Sequence, residues 1–72
     1  MRQMTLTEIE NLEAIIVSHL DKKVVEVILK DGTETGGIVD EANETYTKFT
    51  LVNGNGEYRT VALEEVENVY YL

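Results

Sequence analysis

The feature that most constrains this chain is a change of hydrophobic period at Val24. Before it, Ile9, Leu12, Ile16 and Leu20 recur at the spacing of one face of an α-helix. After it, apolar and polar residues alternate in short runs, and every run ends in a turn signal. Five such runs fit between Val24 and Tyr71: Val24–Lys30, Thr33–Glu41, Thr45–Val52, Glu57–Leu63 and Val66–Tyr71. Strands this short and this often interrupted cannot build a broad flat sheet. They are expected to bend and close into a small antiparallel barrel, which also removes most exposed edges. The helix then has to lay its Ile9, Leu12 and Ile16 stripe over an open end of the barrel or over a neighbouring subunit.

Local signals sharpen this reading. The helix is expected over about 6–20, after a frayed start at residues 1–4. Thr7 with Glu10 fits a capping box, as does Thr5 with Glu8. Glu8, Glu10 and Glu13 crowd the first turns, where the helix dipole favours anions. Val25, Val27 and Leu29 share one face of the first strand. Asp31-Gly32 marks a hairpin, and Gly36-Gly37 marks a bend or bulge where side chains would collide. Thr47, Phe49 and Leu51 are expected to point inward from the third strand, and Val61 and Leu63 from the fourth. Asn53-Gly54-Asn55-Gly56 is the clearest turn, and Glu64-Glu65 reads as one turn of 3₁₀ helix. Tyr70 and Tyr71 must point to opposite faces of the last strand, so that one can lie in the core and the other at an interface.

Composition narrows the function classes. The 72 residues make one small domain, 1–72, for which oligomerisation is a natural way to bury more surface. Fourteen acidic residues stand against six basic ones, a formal charge of −8. Such a chain is repelled overall by nucleic acid and by anionic membranes. No cysteine is present, so there is no disulfide, thiolate metal site or cysteine nucleophile. No apolar run approaches a membrane span, and Arg2 followed by polar residues is not a secretory signal, which makes the cytoplasm the expected location. His19 is the single histidine and reads as a helix-end or interface residue. The carboxylates read as a solvated face, no spacing matches a metal site, and no cofactor is expected. Lys22 and Lys23, at the junction of helix and barrel, are the best local candidates for a phosphate contact; the plainer reading is solubilising charge at a helix C-terminus. Tyr46, Tyr58, Tyr70 and Tyr71 are able to stack bases, but strand tyrosines more often serve packing and subunit contacts.

One helix, five strands and the stretch Lys22-Lys23-Val24-Val25-Glu26-Val27-Ile28-Leu29-Lys30-Asp31-Gly32, followed by Gly37-Ile38-Val39, resemble the Sm-like family. The resemblance covers residues 6–71 and implies an N-terminal helix followed by a five-stranded, strongly bent antiparallel SH3-type barrel. It also implies a cyclic homo-oligomer of five to seven subunits, joined by pairing the fourth strand of one copy with the fifth of the next. Tyr58, Thr60, Val66, Asn68 and Tyr70 would lie at that interface. The family's RNA-reading motifs are altered. Ala42-Asn43-Glu44-Thr45-Tyr46-Thr47 keeps an asparagine and an aromatic in a different spacing. Val61-Ala62-Leu63 has Ala62 and Leu63 where the family has arginine and glycine, and the carboxylates of Glu64 and Glu65 follow. A second likeness joins Glu10-Asn11-Leu12-Glu13, Leu29-Lys30-Asp31-Gly32 and Val61-Ala62-Leu63-Glu64-Glu65-Val66. It is similar to the Rho-binding antiterminator family, acidic Sm-like barrels that bind the RNA-binding face of the termination factor Rho; that family's cysteine-containing motif is missing here. The expectation is therefore a non-enzymatic, oligomeric binding scaffold whose partner is a protein with a basic surface. An RNA-binding ring using Lys22, Lys23, Tyr46 and Lys48 is the less favoured alternative.

Overall fold

Thr5 starts the helix. Its hydroxyl accepts the Glu8 amide at 3.1 Å, and the Glu8 carboxylate accepts the Thr5 amide at 3.0 Å, so the capping box forms on Thr5 rather than on Thr7. The computed structural model describes residues 3–72, so Arg2 and the first part of the expected frayed start lie outside the described residues. Helix α1 spans Leu6–Asp21 and ends at Lys22, which adopts the left-handed conformation with φ 57°. Strands β1 (Val25–Leu29), β2 (Glu34–Ala42), β3 (Lys48–Val52) and β4 (Tyr58–Ala62) follow. A 3₁₀ turn over Leu63–Glu65 leads into β5 (Val66–Tyr71). The strands pair antiparallel in the order β4-β3-β2-β1-β5.

The alternation read from the sequence carries the core. Val25, Val27, Leu29, Val39, Phe49, Leu51, Val61 and Val66 are buried together, with Ile15 of α1 among them. Curvature comes from one irregularity between Val39 and Glu41 and another between Ile28 and Leu29. The glycine pair does not itself bulge. Gly37, at φ 149°, lets β2 pass so close to β3 that a Cβ there would lie 2.2 Å from the Val52 carbonyl oxygen.

Four expectations are corrected. First, the five strands form the strongly bent barrel, but its edges are not removed, because β4 and β5 end the strand order and are not hydrogen-bonded to each other. Second, β3 begins at Lys48, and Thr47 is exposed rather than inward, because Asn43 and Thr45 hold its hydroxyl in a loop. Third, neither final tyrosine enters the core: Tyr70 is 54% and Tyr71 56% exposed. Tyr71 pairs with Val25, but β5 is an edge strand with no further strand to cover that end.

The fourth concerns the helix. Asn11, Ala14, Ile15 and Ser18 form its buried face, while Ile9 and Leu20 point to solvent. The barrel end presents backbone polar groups as well as apolar side chains, and α1 docks through polar residues that satisfy them. The Asn11 amide nitrogen donates to the Glu67 carbonyl at 3.1 Å, and its oxygen accepts the Val69 amide at 3.0 Å. Ser18 accepts the Val39 amide at 3.0 Å and donates to the Lys23 carbonyl at 2.7 Å. The helix therefore lies across the sheet, with its first half on β5 and its second on β2.

Candidate functional site

Asn43 organises the loop between β2 and β3. Its side-chain oxygen accepts the amides of Thr47 at 2.9 Å and Lys48 at 3.3 Å, and its side-chain nitrogen donates to the Thr47 hydroxyl at 2.8 Å. Its backbone accepts the Tyr46 amide at 3.1 Å. With both ends of the loop tied to one side chain, Tyr46 is carried through the left-handed region at φ 57°. The Tyr46 ring packs against the core, and its hydroxyl lies 2.8 Å from His19 Nδ1, with the two rings edge to face at 5.6 Å. His19 thus joins the end of α1 to this loop, a structural use for the single histidine.

On the other side of the loop, a groove of about 860 Å³ opens between the first half of α1, the 3₁₀ turn and the start of β3. Lys30, Asn43, Thr47 and Lys48 line it, facing Glu8, Glu64 and Glu67, with Ala62, Leu63 and Val66 as its apolar part. The 3₁₀ turn is fixed by the Glu65 carboxylate, which accepts the Ala62 amide at 3.0 Å, and by the Lys30 amide on the Glu65 carbonyl at 2.8 Å. Two lysines against three glutamates make the groove acidic in balance. A second hollow of about 300 Å³ on the outer face shares Asn43 and Lys48 with it and includes Thr60.

The residues singled out in the sequence fall into separate places. Lys22 and Lys23 are exposed at the end of α1, and Tyr46 is bound to the last turn of that helix through His19. Lys48 is exposed and opens into the groove instead. Of the proposed interface residues, Tyr58 and Thr60 stand exposed on β4 and Tyr70 on β5, Asn68 is half-buried, and Val66 is only 5% exposed because it belongs to the chain's own core. Lys30 and the docking roles of Asn11 and Ser18 escaped the sequence reading. A trace of the latter exists: Asn11, Ala14 and Ser18 recur at helical spacing as a stripe of small and polar residues.

Two carboxyls depart from their ordinary values. Glu26 on β1 is raised, first by its hydrogen bond with Glu34 on the paired β2, then by partial desolvation and by that neighbour's charge. Asp31 is lowered by the Thr33 amide, 2.9 Å from its oxygen, and by the Thr33 side chain. Neither lies on the groove. Among the described residues, no group of three or more His, Asp or Glu side chains is placed to hold a metal ion, and no helix is long and apolar enough to cross a membrane.

No protein-family model matches the chain, and no curated protein does. Solved structures do. The pleiotropic translational regulator Hfq superposes with a TM-score of 0.69 at 16% identity, over 96% of this chain and 100% of that one. A chain from the Dcp1:Dcp2 mRNA decapping complex with its activators Edc3 and Scd6 gives 0.66 at 16% identity, over 78% of this chain and 58% of that one. A protein of Xanthomonas campestris with a novel variant of the Sm-like motif gives 0.63 at 14% identity, over 97% and 90%. An N-terminal helix followed by a five-stranded antiparallel sheet is the arrangement they share with this chain, which has the Sm-like fold.

Proposed function

We propose that this chain is a non-enzymatic Sm-like barrel that assembles with copies of itself and acts as a binding scaffold in RNA metabolism or its regulation, through a protein partner with a basic surface. The observation that carries the reading is that β4 and β5 end the strand order without a further strand, the outer edge of β5 being held by Asn11 only at the Glu67 carbonyl and the Val69 amide. Edges of this kind pair with another chain unless covered. A head-to-tail contact of β4 on β5 closes into a ring when the rotation permits. Similarity to Hfq and to a chain of an mRNA decapping complex supports the link to RNA metabolism. The formal charge of −8 and the glutamates of the groove favour a basic partner.

Light scattering tests the assembly. The expected mass is that of five to seven subunits, and a mass of 8.2 kDa at micromolar concentration would overturn it. Capture from host lysate with and without nuclease tests the partner. Recovery that survives nuclease supports a protein, and recovery lost with nuclease removes this reading.

A second reading, direct RNA binding by the ring, is favoured by one observation: Lys30, Lys48, Asn43 and Thr47 line the same groove. Against it stand the three glutamates and the position of Tyr46, whose ring and hydroxyl are engaged by the core and His19. Repeated around a ring, those carboxylates would multiply an unfavourable potential for phosphate. Oligo-uridine is therefore expected to bind more weakly than ~100 μM at physiological salt. Fluorescence anisotropy checks this. Sub-micromolar binding that weakens in Lys48→Glu or Tyr46→Ala would put the RNA-binding ring first.

A further inference from the structure

Each end strand is free over one part of its outer edge and held over the other. The Asn53 amide on the Glu57 carbonyl and the Leu63 amide on the Thr47 carbonyl turn the odd-numbered residues of β4 toward β3, so the backbone groups of Tyr58, Thr60 and Ala62 face outward. The Leu72 amide on the Val24 carbonyl turns the even-numbered residues of β5 toward β1, so those of Glu67, Val69 and Tyr71 face outward. Side chains already hold part of this outward set. Glu65 holds the Ala62 amide, and Asn11 holds the Glu67 carbonyl and the Val69 amide. Among the described residues, the amides and carbonyls of Tyr58, Thr60 and Tyr71 and the Val69 carbonyl have no partner in the chain. Exposed tyrosines stand beside them: Tyr58 on β4, and Tyr70 and Tyr71 on β5.

An antiparallel contact between β4 of one copy and β5 of the next has a register, and these caps select it. Shifts come in steps of two residues, because only outward groups meet. With Tyr58 opposite Tyr71, the two residues exchange both bonds and the Thr60 amide meets the Val69 carbonyl. Further along, the Ala62 amide held by Glu65 falls opposite the Glu67 carbonyl held by Asn11, so one capped group faces another. A shift one way sets the free Val69 carbonyl on the capped Ala62 amide and leaves Tyr58 beyond the end of β5. A shift the other way sets the Tyr58 carbonyl on the capped Val69 amide and the Thr60 amide on the capped Glu67 carbonyl. The selected register also brings Tyr58 beside Tyr71 and Arg59 beside Tyr70, an aromatic pair and a cation next to an aromatic ring. We propose that Asn11 and Glu65 set the register of self-assembly, in which Tyr58 of one copy lies opposite Tyr71 of the next and the ladder is confined to the free parts of the two edges. This register rests on the pairing of β4 with β5 proposed above and adds the residues that dictate it.

The chain has no cysteine, so pairs of introduced cysteines read the register directly. In the proposed register Arg59 faces Tyr70 of the next copy and Glu57 faces Leu72, as non-hydrogen-bonded pairs about 4.5 Å apart at Cα, within disulfide reach. Under mild oxidation Arg59→Cys with Tyr70→Cys, and Glu57→Cys with Leu72→Cys, are expected to cross-link subunits at least about tenfold faster than the pairs that report the shifted registers. Those are Arg59→Cys with Asn68→Cys and Arg59→Cys with Leu72→Cys. The Glu57 pair keeps Arg59 and all the tyrosines, and it decides the matter where the Arg59 pair weakens assembly. Glu65→Ala frees the Ala62 amide for the Val69 carbonyl and is expected to speed cross-linking of Arg59→Cys with Leu72→Cys by about fivefold, the worth of one backbone hydrogen bond. In an assembled protein, a shifted pair that cross-links fastest, or rates that Glu65→Ala leaves unchanged, would overturn the proposal and leave the pairing of β4 with β5 standing. Light scattering on the parent and the reduced variants separates the other failure: a subunit mass with no pair cross-linking removes that pairing and this register together.

Discussion

At Gly37 the barrel depends on the absence of a single carbon atom. A Cβ there would lie 2.2 Å from the Val52 oxygen and 2.8 Å from its carbon, both backbone atoms, and φ is 149°. Neither a rotamer change nor a small shift relieves a clash with the neighbouring strand's main chain. Gly36, one residue earlier, differs: a Cβ there would meet only the Val25 carbonyl oxygen at 3.5 Å, an ordinary contact. Gly37→Ala is expected to cost at least ~3 kcal/mol or to prevent folding, and Gly36→Ala to stay within about 1 kcal/mol of the parent. Urea unfolding of the two variants side by side checks the contrast. Equal effects would show that glycine is needed here only for general flexibility. The sequence marked both glycines together as a site of collision. Which of them meets a backbone was not legible, because the contact is with Val52, fifteen positions away.

Among elements, the helix and its seat follow different rules from an ordinary amphipathic pair. Hydrophobic periodicity assumes that the buried side of a helix is its most apolar side. Here α1 meets an edge strand and a barrel end whose amides and carbonyls need partners, so Asn11 and Ser18 face inward and only Ala14 and Ile15 join them. Asn11→Ala leaves the Val69 amide and the Glu67 carbonyl without their partner and is expected to cost ~2–3 kcal/mol. Leu20→Gln, on the stripe read from the sequence as inward, is expected to change the stability of the isolated subunit by less than ~0.5 kcal/mol. Thermal unfolding at low protein concentration checks both. A larger loss from Leu20→Gln than from Asn11→Ala would mean that the helix docks by its apolar stripe after all. The loop from Asn43 to Thr47 follows similar logic. Its sequence alternates well enough to read as strand, but the Asn43 side chain satisfies the backbone locally and takes three residues out of β3.

Over the whole molecule, acidity has a readable consequence for stability. Glu26 and Glu34 share a hydrogen bond across β1 and β2, and the folded chain holds the Glu26 proton more tightly than its ordinary value of 4.5. The sign follows from linkage. The stabilising contribution of that proton is fully present below the ordinary value and is lost as pH rises through the raised one. Asp31 acts in the opposite sense. Its lowered carboxyl contributes stability above the ordinary value, and that is lost as pH falls through the lowered one. Glu26→Gln keeps a donor for Glu34 and removes the repulsion. The variant should therefore gain stability relative to the parent as pH rises from about 4 to about 7. Chemical denaturation across that range checks this, and a gap that narrows with rising pH would contradict it. The assembly predicted from the end strands also belongs to this scale, since β4 and β5 are ends only of the folded sheet.

By itself the sequence determined the order of one helix and five antiparallel strands, the turns at Asp31-Gly32 and Asn53-Gly54-Asn55-Gly56, and most of the inward residues from Val25 to Leu51. These follow from local period, turn chemistry and β-branching, which act between near neighbours. The 3₁₀ turn at Leu63–Glu65 and the bounds of β5 were legible for the same reason. Only the tertiary structure decided which face of α1 is buried, that the barrel stays open between β4 and β5, and that Lys48 opens into a groove while Lys22, Lys23 and Tyr46 gather at the end of the helix. Each of these depends on where unpaired backbone groups fall after the sheet has curved. Asn11 meets Val69 across 58 positions and Ser18 meets Val39 across 21, so no local pattern of apolar residues carries that information.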